Sequence, residues 1–282
     1  MVSKVWFITG TSKGFGRVWA EAALARGDRV AATARDVRTL TALVQRFGNQ
    51  VAAIPLDVTQ KAAVDAAVEK AHAQFGRLDV VVNNAGYGLF GAIEEISEPE
   101  AREQLETNLF GALWVTQAAL PIMRAQGSGH FIQVSSIGGV NAFPTVGLYH
   151  ASKWGLEGFS QSLATEVAGF GIKVTLVEPG GYATDWGGPS AKRAAPMPAY
   201  DGARAAIAAF RSNNVPGDPA ATGPAILKVV DATDPPLRIF FGSGGLPMIR
   251  AEYARRIETW EQWNDVSIAA QGNLRSAAGE RP

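Results

Sequence analysis

Cysteine is absent from this chain of 282 residues, which excludes a disulfide framework, thiol catalysis and cysteine-ligated metal. The absence constrains the compartment only weakly, toward a reducing one. Histidine is scarce: His72, His130 and His150 form no cluster with metal-ligand spacing, so no metal is expected. Neither sign of charge dominates. With 26 basic and 26 acidic residues the formal net charge is 0, so no broad footprint for nucleic acid or an anionic membrane exists, and any anion site must be local. No apolar run reaches membrane-spanning length, and the run Val5–Ile8 is too short for a signal peptide. The expected location is cytoplasmic. What remains, 47% hydrophobic and 18% charged residues, is the composition of a soluble globular enzyme with a sizeable core, expected as one domain over 1–282.

The run Val5–Ile8 reads as a strand buried on both faces. It leads into Thr9-Gly10-Thr11-Ser12-Lys13-Gly14-Phe15-Gly16 and then a helical pattern carrying Trp19, Ala20, Ala23 and Leu24. Strand, glycine turn and helix is the dinucleotide-binding arrangement: Gly10 permits a tight turn, Gly14 and Gly16 allow close approach, and the new helix aims free N–H groups at a pyrophosphate. A glycine turn that merely joins strand to helix is the competing reading.

The chain then alternates: strand Arg29–Ala34, helix 37–47, strand 51–56, helix 60–75, strand 78–82. Such βαβαβ order predicts an α/β, three-layer, doubly wound Rossmann-type fold with a mainly parallel sheet and right-handed crossovers. Asp57 and Asn83-Asn84-Ala85-Gly86 follow strands, at the carboxyl ends where ligands of open sheets bind. Each is also an ordinary turn or cap residue. A long helix is expected over 99–126 with Asn108 inside it, where asparagine is unfavourable unless its amide is used. A fifth strand, Gly129–Val134, ends in Ser135-Ser136.

Leu148-Tyr149-His150-Ala151-Ser152-Lys153 opens the next helix, expected over 148–168. There Tyr149 and Lys153 share a face one turn apart, and an ammonium beside a phenol favours the phenolate. His150 points elsewhere and is read as packing. A strand at 172–177 follows. The Gly/Pro/Ala-rich stretch of about 186–216 is expected as a substrate-loop insertion over the active site, with an inert surface loop as the alternative. A helix at 219–231 and a strand at 237–241 precede a helical extension of about 242–282. There Ile249, Tyr253, Ile257 and Trp260 make an apolar stripe suited to core or subunit packing, and the end from about Gly272 is expected to fray.

Thr9-Gly10-x-x-x-Gly14-x-Gly16, Asn83-Asn84-Ala85-Gly86, Asn108, Ser136, Tyr149-x-x-x-Lys153, and Pro179-Gly180 followed by Thr184 together resemble the short-chain dehydrogenase/reductase family over roughly 4–185. The resemblance implies catalysis by Asn108, Ser136, Tyr149 and Lys153, and interconversion of an alcohol with a ketone or aldehyde. Hydride would pass between nicotinamide and carbonyl carbon while Tyr149 handles the proton and Ser136 bonds the same oxygen. Lys153 would hold ribose hydroxyls, and Asn108 would keep a helix break hydrated. The implied cofactor set is Gly10, Ser12, Lys13, Gly14, Phe15, Gly16, Arg35, Asp57, Val58, Asn84, Ala85, Gly86, Tyr149, Lys153, Pro179, Gly180 and Thr184.

Lys13 and Arg35 stand where basic residues of that family bind a 2′-phosphate, so NADP(H) is expected over NAD(H), which stays possible because Asp36 follows directly. The expected partners are a small alcohol or carbonyl substrate and, by resemblance, further copies of the chain as homodimer or homotetramer. Tyr87, Leu89, Phe90, Phe143, Tyr182 and Trp186 suggest an apolar substrate. An epimerase or dehydratase using its hydride internally, and a non-catalytic dinucleotide sensor, are the competing functions. Stoichiometric NADPH consumption separates them.

Overall fold

A computed structural model describes residues 3–212 and 215–272. Val5, Trp6, Phe7 and Ile8 of β1 (Val5–Ile8) are all fully buried, and the pleat sends them alternately to two cores. Val5 and Phe7 join α3 (Lys61–Phe75), α5 (Gly111–Gln126) and α6 (Gly147–Val167) on one face. Trp6 and Ile8 join α1 (Gly14–Ala25), α2 (Thr41–Phe47) and α8 (Thr222–Asp231) on the other. That two-sided burial is why the strands read as continuous apolar runs, each fully buried large side chain contributing about 1.5–3 kcal/mol.

The remaining strands of the central sheet are β2 (Arg29–Ala34), β3 (Val51–Pro55), β4 (Val80–Asn83), β6 (Gly129–Val134), β7 (Ile172–Pro179) and β9 (Arg238–Phe241). Their order is β3-β2-β1-β4-β6-β7-β9 and every neighbouring pair is parallel, as the alternating sequence pattern predicts. Because the chain leaves β1 first to one side and later returns to the other, a crevice opens at the carboxyl ends of β1 and β4.

Two elements depart from the sequence reading. The helix expected over 99–126 is α4 (Glu98–Leu105) and α5 separated by a π-helical turn, Glu106–Phe110, that contains Asn108. The insertion is not plain loop: β8 (Lys192–Arg193) pairs in parallel with β5 (Leu89–Phe90), and α7 spans Asp201–Ser212, where an alanine-rich run of high helix propensity overrides the flanking glycine and proline. Positions 213–214 of the insertion and 273–282 of the extension lie outside the described residues. Residues up to Ser243 form one compact unit. A second unit holds α9 (Gly245–Gln262) and α10 (Asn264–Gln271), on which Tyr253, Ile257, Trp260 and Trp263 are exposed rather than buried as core. No helix among the described residues is long and apolar enough to cross a membrane.

His130 on β6 bonds Thr175 on β7 through Nε2 at 2.9 Å, and burial pushes its imidazole down to about 3. The unfolded chain therefore binds a proton that the folded chain refuses between about pH 6.5 and the native value. Stability from this residue is complete above that window and falls with pH by about 1.4 kcal/mol per pH unit inside it. Urea denaturation at several pH values should show His130→Gln with a shallower slope by one proton; equal slopes would refute the assignment.

Candidate active site

The floor of the crevice is made by the glycine turn and the Asn-Asn-Ala-Gly segment. Gly10 and Gly14 have φ of +69° and +59°, a region that side chains resist. A Cβ on Gly16 would strike the Gly10 carbonyl oxygen and stand 2.5 Å from Asn84 Nδ2, so only glycine lets α1 begin here. Thr9 Oγ1 accepts from the N–H groups of Asn84 and Ala85 at 2.9 Å each, and Asn84 Nδ2 donates to the carbonyls of Thr9 and Gly10 at 2.9 and 3.0 Å. The first turn of α1 has no side-chain cap and no acidic residue, leaving Ser12 and Lys13 beside free N–H groups suited to an anion.

Around this floor the other expected residues take their places. Asp57 is exposed and accepts from the Thr59 amide and hydroxyl, so here it is a turn-forming residue at the end of β3. Val58 packs against Gly111, and Gly86 against the Asn108 amide. Gly180 donates to the Phe241 carbonyl after Pro179, and Thr184 caps a short turn by accepting from the Trp186 amide. Phe15 stacks on Trp19 and meets Tyr182 edge-on, which draws Tyr182 into the core rather than toward a substrate.

Ser136, Tyr149, Lys153 and Asn108 come together at the carboxyl end of β6 and the start of α6. Tyr149 and Lys153 are buried on one helix face, with Lys153 Nζ 5.9 Å from the centre of the phenol ring. Lys153 Nζ donates to the Val134 carbonyl at 2.6 Å. Burial pushes the phenol up to about 12, against the downward pull of its Ser136 hydrogen bond, and pushes the ammonium down to about 8, against the upward pull of Glu157. The lowering of Tyr149 by Lys153 that helical spacing suggested is therefore not what governs this geometry; desolvation outweighs it. Asn108 does not leave its amide for water. Its Oδ1 accepts from the Tyr87 N–H and its Nδ2 donates to the Tyr87 carbonyl, both at 3.0 Å, and to Ser152 Oγ at 3.2 Å. Just before α6, Thr145 holds φ of +64°, a strained conformation for a β-branched residue.

Aromatic rings close over the phenol. The Trp186 ring lies 4.9 Å from that of Tyr149 and 5.2 Å from Phe90, and Gly88 admits it because a Cβ there would approach the indole to 2.7 Å. His150 is a bracket, as its sequence position suggested: one ring nitrogen meets the Gly138 carbonyl at 2.9 Å and the other accepts from the Phe143 amide at 2.9 Å. That pattern requires the neutral ring protonated at Nδ1. Among the described residues no group of acidic or histidine side chains could hold a metal.

The short chain dehydrogenase model matches residues 4–195. The chain belongs to the short-chain dehydrogenase family. The oxidoreductase BOA17 of Botryotinia fuckeliana is 43% identical over 278 residues, 95% of this chain and 100% of that one. A short-chain dehydrogenase from Streptomyces avermitilis superposes with a TM-score of 0.89 at 39% identity, covering 95% of this chain and all of its own. An alcohol dehydrogenase from Thermococcus sibiricus complexed with 5-hydroxy-NADP gives 0.73 at 27% identity over 86% of this chain and 98% of its own. This short-chain dehydrogenase is thus an oxidoreductase whose crevice fits a dinucleotide: a glycine cradle that a Cβ would fill and an uncapped helix start.

Its basic residues are arranged less simply than the sequence suggests. Arg35 is exposed after β2. Asp36 is held by Arg38 through paired contacts of 2.9 and 2.7 Å, which keep its carboxyl down at about 2. Lys13 makes an ion pair with Asp185 of the insertion. Sequence reasoning also missed Gln104, fully buried, which accepts from the Leu89 amide at 2.8 Å and donates to the Tyr87 carbonyl at 3.1 Å. With Asn108 it fixes the loop carrying Tyr87. Asn108→Ala would strip the Tyr87 N–H of its partner and leave the Tyr87 carbonyl only Gln104, and should lower the unfolding free energy by about 2 kcal/mol in urea titration. A change of a few tenths would show that the clamp contributes little.

Proposed function

We propose that this chain is a cytoplasmic carbonyl reductase that moves hydride between NADP(H) and an alcohol/carbonyl pair, reducing an apolar ketone or aldehyde. The observation that carries the reading is the seat of Tyr149: a buried phenol bonded to Ser136 and walled by Trp186, with Phe90 behind it. An apolar substrate gains from those rings, and its carbonyl oxygen finds two hydroxyls. Gly10, Ser12, Gly14, Phe15 and Gly16 would hold the pyrophosphate end, and Asn84, Ala85, Gly86, Pro179, Gly180 and Thr184 would line the rest. Asp57 and Val58 would flank the adenine end. Bound there, the nicotinamide would supply or accept the hydride. Tyr149 would donate its proton to the developing alkoxide and Ser136 would orient the same oxygen, while Lys153 would hold ribose hydroxyls and keep a positive charge near the phenol as it gives up its proton. Asn108 keeps the neighbouring loop in register.

The chain is read as one Rossmann domain carrying a substrate-loop insertion and a helical extension. The same proposal includes a homodimer or homotetramer, supported by the exposed Tyr253, Ile257, Trp260 and Trp263. A panel of apolar ketones and aldehydes, acetophenone among them, tested for oxidation of NADPH decides the reading. Tyr149→Phe should cost several orders of magnitude in turnover with cofactor affinity nearly intact, and Lys153→Ala should damage both. A Tyr149→Phe enzyme retaining a tenth of parental turnover removes the phenol from the mechanism.

Preference for NADP(H) rests on Arg35 together with Asp36, whose carboxylate is already engaged by Arg38 and so repels a 2′-phosphate less. Use of NAD(H) is the second reading, favoured by one observation, the capture of Lys13 by Asp185. In the parent, kcat/KM should favour NADPH over NADH, and Arg35→Ala should reduce that ratio about ten- to a hundredfold. A ratio near one in the parent, or one insensitive to Arg35, would place the phosphate elsewhere.

A further inference from the structure

Two carboxyls lie behind Lys153 that the proposed reaction leaves idle. Glu157 follows Lys153 by one turn of α6, and Glu178 precedes Pro179 at the end of β7; they are 5% and 1% exposed. One guanidinium serves both. Arg238 Nε on β9 stands 2.8 Å from Glu157 Oε2 and 3.7 Å from Glu178 Oε1, while its Nη2 donates to Gln161 Oε1 at 2.8 Å. Glu157 Oε1 is buried without a hydrogen-bond partner, and so is Glu178 Oε1, which Arg238 approaches only to ion-pair distance, as are the hydroxyls of Ser135 and Ser160. A Cβ on Gly139 would lie 3.1 Å from Glu157 Cγ, so the cluster abuts the turn that follows Ser136. It thus touches three segments that carry the site: the end of β6, the start of α6 and the end of β7.

Two buried carboxylates beside one guanidinium repel each other and lose their hydration together, which opposes ionising both at once. Burial raises both groups, and for Glu178 the neighbouring carboxylate raises it further. One proton placed between them turns an orphaned acceptor into a donor and leaves a single negative charge. We propose that Glu157 and Glu178 share one proton and, with Arg238, act as a positioning pair that holds Lys153 charged behind Tyr149. This rests on the reading of Tyr149 and Lys153 as the proton-transfer couple. Among the described residues the other groups beside the pair are Lys153 on the same helix, Arg238 on β9 and the Ser135 hydroxyl just after β6. The turn Ile137–Gly139 brings no ionisable side chain, and His150 is spent on Gly138 and Phe143.

A shared proton makes the two carboxyls interchangeable in charge. In Glu157→Gln or Glu178→Gln the surviving carboxyl ionises alone and the single negative charge persists. Only the double variant removes it, and losing a nearby negative charge makes the couple release its proton more readily. For NADP-dependent oxidation of 1-phenylethanol, each single variant should keep the parental midpoint of kcat/KM against pH, whatever happens to kcat. The double variant should move it down by about one unit. Equal shifts in each single variant, or none in the double, overturns the proposal. Infrared spectra in heavy water give a readout that needs neither turnover nor the double variant. Near neutral pH the parent should show the carbonyl band of one protonated carboxyl, and either single variant should lack it. A parent without the band overturns the shared proton; a parent with it that turns over no alcohol condemns the functional reading instead.

Discussion

The Thr9 hydroxyl is the tie on which the carboxyl edge of the sheet depends. It donates to the Val82 carbonyl at 3.2 Å and accepts from two successive amides after β4, so the ends of β1 and β4 are joined at the point where the sheet opens. Asn84 returns the connection by donating to Thr9 and Gly10. The glycine turn and the Asn-Asn-Ala-Gly segment are therefore tied together by four hydrogen bonds between Thr9, Gly10, Asn84 and Ala85, and such a network is stiff because any displacement leaves one of those groups unpaired. The close approach of Gly16 follows from the same tie. Were Asn84 elsewhere, half of what excludes a side chain at that position would vanish.

Burial sets the electrostatics of the site more strongly than charge does. With the phenol pushed up to about 12 and the ammonium down to about 8, both members of the couple are driven toward their uncharged forms. A neutral phenol is the form that can donate, which suits reduction. A phenol so reluctant to ionise is a weak acid, however, and catalysis by proton transfer works best with a pKa near the working pH. The opposing influences are close by: Ser136 bonds the phenol, and Glu157 supports the ammonium. The seat is dry, and its polar neighbours recover part of the acidity that dryness removes.

The rhythm of strands and helices was legible because each strand buries both faces, which leaves a run of apolar residues at every crossing of the sheet. That Tyr149 and Lys153 would share a buried face was legible because they sit one turn apart on a helix, and that Ser136 would lie beside them because it follows a strand of the sheet. What escaped depends on distant partners. The π-helical turn at Glu106–Phe110 follows from an asparagine whose amide is claimed by Tyr87, and helical periodicity carries no trace of that claim. Glu157 carries no sign in the sequence of its partner, because Arg238, which it shares with Glu178, arrives from a distant strand. Helix α7 was hidden by its setting: glycine and proline on either side masked an alanine-rich run that is a good helix on propensity alone.

Lys13 joins the two halves of the site in a way no single stretch of sequence reveals. Its partner Asp185 adjoins Trp186, whose ring covers Tyr149, and Thr184 caps the turn that carries both. A lysine of the glycine turn therefore restrains the segment lying over the Tyr149 phenol. The pair is solvent-exposed on the lysine side and hence screened, so it is a weak restraint that a more highly charged anion can displace. A phosphate near Lys13 offers several acceptor oxygens where Asp185 offers two, and the lysine's compact charge is indifferent to their geometry. The glycine turn and the segment bearing Trp186, which covers Tyr149, are thus joined through one side chain.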